Sequence, residues 1–234
     1  MEQHYSILYG PINKLWHSLG MTSEFPDHVI MALLVLSLSA TIFPLITRNL
    51  SKENPGNVQQ LFELVINGLK GFLEEIVGHG ASHRFLNIIG GFAFFIFLSN
   101  ILGLFYFLQP PTGNVNTTFA LSLTAFLYYN YQGIRAQGVV SYFKHFMGPV
   151  PWLALLMFPI EVIGHLARIL SLGMRLFGNI TGEHLATGIF MGIFPLLFPW
   201  PMMGLGIFGS ILQTFVFIML TMVYIGGAVT AEEH

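Results

Sequence analysis

From Pro151 to Pro199 the chain runs for 49 residues almost without a polar interruption, yet Glu161, Arg168, Arg175 and Glu183 are set inside that run. Few folds accept such a segment. The hydrocarbon core of a bilayer is about 30 Å thick and is crossed by about 20 apolar residues, whereas a helix of this length reaches roughly 70 Å. The run must therefore be steeply tilted, broken, or partly laid along the interface. A charge at the centre of a membrane helix costs about 2.5–3.5 kcal/mol. Four of them are tolerated only on a face that meets water, another polar surface, or one another.

The rest of the chain places this run in a membrane. Charged residues make up 9% of it and hydrophobic ones 54%, with a mean hydropathy of +0.69. Soluble domains carry about 25% charged residues, enough to cover a water-facing surface. The formal charge of −2 gives no basic field for nucleic acid. The absence of cysteine excludes disulfides, thiolate catalysis and cysteine-ligated metals. The start, MEQHYSILYG, has no basic stretch ahead of an apolar run and does not read as a cleavable signal peptide. No G-x-x-x-x-G-K-[ST] phosphate loop occurs, so the expectation is a chain with no ATP site of its own, no cofactor and no catalysis. His79 and His83 stand four apart, but two histidines without a third ligand make a poor metal site.

The expected architecture is an all-α integral membrane protein, one membrane domain with five crossings. They are residues 29–47, 86–108, 117–134, 151–199 and 204–231, the last preceded by a turn at PWPMM. Residues 1–26 form an external N-terminal segment. Between the first two crossings, residues 58–78 repeat Leu61, Val65, Leu69, Phe72 and Ile76 at helical spacing, with Glu63, Lys70, Glu74 and Glu75 elsewhere around the helix. This predicts an amphipathic helix lying in the interface. Arg48, Lys52, Lys70 and Arg84 fall in that same connection, Arg135 and Lys144 follow the third crossing, and the loop at 109–116 has no charge. The positive-inside rule then puts the N-terminus outside and the C-terminus in the cytoplasm, as an odd number of crossings requires.

Projected at about 100° per residue, Glu161, His165, Arg168, Arg175, Asn179 and Glu183 share one helical face, about a quarter of the circumference wide. From Glu161 to Glu183 the rise is about 33 Å, close to the membrane thickness. Pairs such as Glu161 with His165 or Arg168 would staple the helix, and Asn179 would serve as packing glue. Packing does not require so many costly groups, and intramembrane ionisable residues mark ion or proton pathways by default. The arginines cannot carry protons, because guanidinium stays charged. They can attract a partner carboxylate and repel an excess proton. Proton carrying then falls to Glu161, Glu183, His165 and His184. His184 lies about 180° around the helix from Arg175 and faces a different neighbour. In the last crossing Gly206, Gln213 and Tyr224 fall within roughly 20° of one another.

At these residues the chain resembles a known family. SLGMRLFGN at 171–179, LQTFVF at 212–217 and the ending TMVY…AEEH are similar to subunit a of the F-type ATP synthase, in the right order and with the same layout of crossings. The resemblance covers residues 27–234 in layout and about the last 85 residues in motif. It implies a stator subunit of a bacterial plasma membrane that packs beside a rotating c-ring of small subunits, each with one membrane carboxylate, and that works with the peripheral stalk b subunits. Protons would pass through one half-channel to the ring and leave through a second. The resemblance assigns Arg175 to the essential stator charge and Gln213 to the glutamine facing it. It assigns Asn179, Glu161, His184 and Tyr224 to channel positions, and makes the last two crossings a long tilted hairpin against the ring. One departure stands out. The family often pairs the position matching His184 with an acid or histidine on the last helix; here Gly206 occupies that place, which leaves Glu183 or Glu161 to act instead. Other readings open at this point are a stand-alone transporter or ion channel, and a sodium-coupled version of the same subunit.

Overall fold

The computed structural model describes residues 6–18, 20, 24–48, 50–51, 55–105, 108–146, 154–193 and 199–229. Among these the chain is helical, with eight α-helices and no strand: α1 (Tyr9–Ser18), α2 (Asp27–Arg48), α3 (Asn57–Ile76), α4 (Ala81–Leu102), α5 (Val115–Gln137), α6 (Val139–Phe146), α7 (Ala154–Ile193) and α8 (Pro199–Val229). A 3₁₀ turn at Pro111–Gly113 joins α4 to α5. Only closed backbone hydrogen bonding survives in hydrocarbon, so a chain this apolar becomes a bundle of helices. It is an all-α integral membrane protein. Four helices, α2, α4, α7 and α8, are long and apolar enough to cross a bilayer.

The long run between Pro151 and Pro199 contains α7, which is continuous for 40 residues and contains Pro159. At 1.5 Å per residue it spans about 60 Å, twice the hydrocarbon thickness, and it is not broken over this length. PWPMM is not a turn. Pro199 opens α8 and Pro201 falls within its first turn, where the backbone N–H groups have no helical partner to lose.

The helices pack in the sequence α7, α5, α8, α4, with α7 also touching α8, α2 against α4, and α3 against both α4 and α8. The buried face of α5 is Thr118, Ser122, Ala125, Tyr129 and Gln132, a stripe of mostly small or polar residues at alternating spacings of four and three. Small residues let membrane helices approach closely where no hydrophobic effect drives them together. α7 comes close to α5 at Gly173: a Cβ there would stand 3.0 Å from Ser122 Oγ and 3.4 Å from Phe119. The apolar core on the other side of α5 runs through Phe85, Ile89, Phe92 and Ile96 of α4 and Phe217, Met222 and Ile225 of α8. At one end, Thr112 of the 3₁₀ turn donates 2.7 Å to Asn100 Oδ1 at the end of α4. At the other, Gln137 donates 2.8 Å to the Ala228 carbonyl and so ties α5 to the end of α8.

The amphipathic α3 buries Leu69 and Leu73, while Leu61, Leu64 and Val65 remain exposed. At the opposite end of the bundle, the segment ahead of α2 folds back as α1. Asn13 donates 3.3 Å to the Phe25 carbonyl and its Oδ1 accepts 2.7 Å from the Phe25 N–H, while Tyr9 donates 2.8 Å to Glu24. Ser6 donates to both carboxylate oxygens of Asp27 through its N–H and its hydroxyl.

Candidate functional site

Because α7 is unbroken from Glu161 to Glu183, the helical register that the sequence implies is kept, and its polar residues fall into three groups along the helix.

The first group is densely partnered. Glu161 Oε1 lies 3.5 Å from His165 Nε2 and 3.9 Å from Arg168. The stapling pairs i,i+4 and i,i+7 are therefore both made. Tyr129 of α5 meets the other ring nitrogen of His165 through its hydroxyl at 2.9 Å. The Arg168 guanidinium lies 5.4 Å over the ring of Tyr224 from α8, and the Tyr129 and Tyr224 rings are 5.8 Å apart. Beside this group Tyr142 of α6 donates 2.6 Å to Asn130 Oδ1. His165 is buried; Glu161 and Arg168 are each a little over one-third exposed. The group thus holds an acid, a histidine, two phenols and a fixed cation, each in contact with at least two of the others.

The second group, about 10 Å further along the helix axis, is Arg175 with Asn179. Asn179 donates its amide N–H to Gln213 Oε1 across the α7–α8 interface. Arg175 is exposed, and among the described residues its guanidinium hydrogen-bonds at 3.5 Å to Ser171 Oγ on its own helix. Among the described residues no carboxylate lies within ion-pair distance of it. Only 11% of the most apolar stretch of α7 is buried, against 44% for α8. A low value alone means little, since α2 has 17% and its exposed face is lipid-like. The difference is that α7, whose exposed residues include Leu166, Leu170 and Met174, also exposes a guanidinium.

The third group is Glu183 and His184. They point to different neighbours, as their 100° separation requires. Glu183 is half-buried and lies across Gly206 of α8, so it is Glu183 and not His184 that occupies the place facing this glycine. His184 faces a cavity of about 580 Å³. Its other walls are Tyr9 of α1, Glu24 to His28 at the start of α2, the turn from Gln109 to Asn114, and Thr181.

Sequence reasoning missed Tyr129, although the buried four-and-three stripe of α5 contains it. It also missed Glu24, Asp27 and His28 at the cavity, since their place depends on how α1 folds back. No three His, Asp or Glu side chains among the described residues converge in a way that would hold a metal ion.

Comparison with known proteins gives this arrangement a family. Residues 28–226 match the model of the ATP synthase A chain. An ATP synthase subunit a of Helicobacter hepaticus is 43% identical over 180 residues, 77% of this chain and 80% of the relative. One from Nitratiruptor is 39% identical over 220 residues, 92% of this chain and 96% of the relative. A subunit a 1 of Syntrophotalea carbinolica is 46% identical over 210 residues, 90% of this chain and 88% of the relative. With near-complete coverage on both sides and a continuous polar face on α7, the chain belongs to the ATP synthase A chain family.

Proposed function

We propose that this chain is the stationary proton-conducting subunit of a rotary ATP synthase in a bacterial plasma membrane. It lets protons cross through two half-channels that meet a rotating ring of small membrane subunits at Arg175. The observation that carries the reading is that Arg175, on the polar face of α7, is exposed and has no carboxylate within ion-pair distance among the described residues. An intramembrane cation with no counter-ion among the described residues of its chain is satisfied by one from a neighbour. A ring whose members each bring one carboxylate supplies it in turn, and a permanent guanidinium stops an excess proton from passing straight through.

The half-channels lie on either side of that charge. His184, Glu183 and the cavity under α1 serve the outer one; His165, Glu161 and the tyrosines beside them serve the inner one. Asn179 and Gln213 keep α7 and α8 in register next to Arg175. The basic residues of the α2–α4 connection and those after α5 put α3 and α6 on the cytoplasmic side, with α5 as a fifth crossing. One proton crossing 100 mV releases about 2.3 kcal/mol, so several must be geared together by the rotor for each ATP made. The ATP chemistry belongs to partner subunits, and peripheral stalk b subunits hold this chain against the ring's rotation.

Single cysteines at the exposed positions Met174 and Gly178, flanking Arg175, test the reading. The expected result is disulfide cross-linking to a cysteine placed beside the membrane carboxylate of a co-purifying small subunit. A chain that purifies from its own membranes without such subunits, or that gives no cross-link, would overturn it.

A further inference from the structure

The glycine opposite Glu183 has a physical use that the absence of a pairing side chain obscures. A Cβ built on Gly206 would overlap Glu183 Oε1 and Leu104 Cδ2, and would stand 3.3 Å from Glu183 Cδ. One turn on, a Cβ at Gly209 would be 3.4 Å from Glu183 Oε2. The carboxylate thus lies directly on the backbone of α8, on a surface that a side chain at 206 would occupy. Gly206 itself is buried. Ser210, one turn after Gly206, has a buried hydroxyl without a hydrogen-bond partner among the described residues, and Gln213 follows it with the bond to Asn179. The Glu183 carboxylate has no hydrogen-bond or ion-pair partner of its own among the described residues. Contact with the glycine surface, not pairing, is what fixes its place.

We infer that Gly206 is a positioning residue for Glu183: the missing side chain makes the slot in which the carboxylate sits, aligned with Ser210 and Gln213 along α8. The inference rests on the proton-channel reading given above. Two features make it separable from ordinary packing. The atoms that an added methyl would strike are the free ends of two flexible side chains, so Gly206→Ala displaces the carboxylate without moving backbone. Aspartate ends its carboxylate oxygens near the position of Glu183 Cδ, which a Cβ at 206 clears at 3.3 Å. A shorter acid therefore fits beside alanine.

The test is ATP-driven acidification of inverted membrane vesicles containing the whole complex, with the amount of the chain in the complex measured alongside. Gly206→Ala is expected to enter the complex at the parental level and to pump up to about a hundredfold more slowly, the scale of loss when a reacting group is misplaced by about an ångström. The double variant Gly206→Ala with Glu183→Asp is expected to recover the rate of Glu183→Asp alone. Gly204→Ala, where a Cβ meets nothing within 4 Å, is expected to pump at the parental rate. Parental pumping by Gly206→Ala, failure of that variant to enter the complex, or a double variant no faster than Gly206→Ala would each overturn the inference. Glu183→Gln separates it from the wider reading. Normal pumping there removes Glu183 from the channel, and the inference with it; loss there combined with normal pumping by Gly206→Ala overturns the slot alone.

Discussion

The two ends of the polar face on α7 are built on opposite plans. Around Glu161, His165 and Arg168, every charge has a partner within the chain: a carboxylate for the arginine and the histidine, a phenol for the second ring nitrogen, an aromatic face under the guanidinium. Toward Arg175, Glu183 and His184 the partners run out, and the side chains face an exposed surface, a bare glycine and a polar cavity. Two arginines, seven residues apart on one face, therefore have different physical tasks. Arg168 is internally neutralised and belongs to a packed cluster. Arg175 is left to be neutralised by something outside the chain.

The sharpest way to break this comparison is to exchange each arginine for alanine and measure ATP-driven pumping. Arg175→Ala is expected to lose at least about a hundredfold, the scale seen when a preorganised charge at a reacting centre is removed, while the complex still assembles. Arg168→Ala leaves Glu161 with His165 and removes a half-exposed contact and a cation–π pair worth about 1 kcal/mol together, a factor of about five. Equal losses in the two variants would show that the division between the ends is false.

The contact between Asn179 and Gln213 sits at the boundary. Replacing Asn179 by leucine strands the buried Gln213 amide in an apolar interface, at a cost of about 1–3 kcal/mol, and removing both partners costs less than that. Asn179→Leu is therefore expected to pump about tenfold more slowly, and Gln213→Leu, which leaves only the exposed Asn179 amide, to lose less. The double variant Asn179→Leu with Gln213→Leu should be more heat-stable than the worse single, as thermal melting of the purified complex would register. If stability returns in the double while pumping stays low, the amides conduct or steer as well as hold. If both return, they only hold.

How much of this was legible in the sequence depends on how local each feature is. The stripe from Glu161 to Glu183 follows from the period of one helix, and an unbroken α7 keeps it. The i,i+4 and i,i+7 contacts of Glu161 are likewise local to that helix. The opposed directions of Arg175 and His184 are fixed by the same period. What needed coordinates was which helix faces which. Tyr129 is 36 positions from His165 and meets it only because small residues on α5, with Gly173 on α7, let the two helices close up. The acids of the cavity beside His184 depend on α1 folding back onto Asp27 and Phe25 through bonds that no periodicity announces. Glu183 facing Gly206 is a third such case. The sequence shows an empty position on α8, and only the packing shows that a carboxylate fills it. PWPMM misled because two prolines read as a stop, although prolines are also well suited to open a helix.

Within the densely partnered end, Tyr129 provides a smaller effect. Tyr129→Phe keeps the ring that stacks on His165 and Tyr224 but deletes the hydroxyl at the buried ring nitrogen. Leaving a buried polar atom without its bond costs about 1–3 kcal/mol. Because Glu161 still holds the other nitrogen, the loss should fall at the low end, about fivefold or less in pumping. If proton conduction is unchanged while melting drops, the hydroxyl is a structural bond. If conduction drops with no change in melting, the phenol lies in the proton path.

Tyr224 gives the smallest expected effect and the finest test of the comparison. Its ring supports Arg168 and touches Tyr129, and neither contact uses its hydroxyl. Tyr224→Phe keeps the aromatic face under the guanidinium and should pump within about twofold of the parent, since phenylalanine retains most of a cation–π attraction worth about 0.5–1 kcal/mol at a half-exposed site. Tyr224→Leu removes that face and should cost a few-fold more. A packed, self-neutralised cluster responds in this order, because it reads the shape and charge of the ring. A cluster that passes protons through the phenol responds in the reverse order, with Tyr224→Phe as damaging as Tyr224→Leu. That outcome would make the tyrosine hydroxyls carriers of the proton path proposed for this end, and Arg168 would then be a charge beside the path, no longer merely the counter-ion of Glu161.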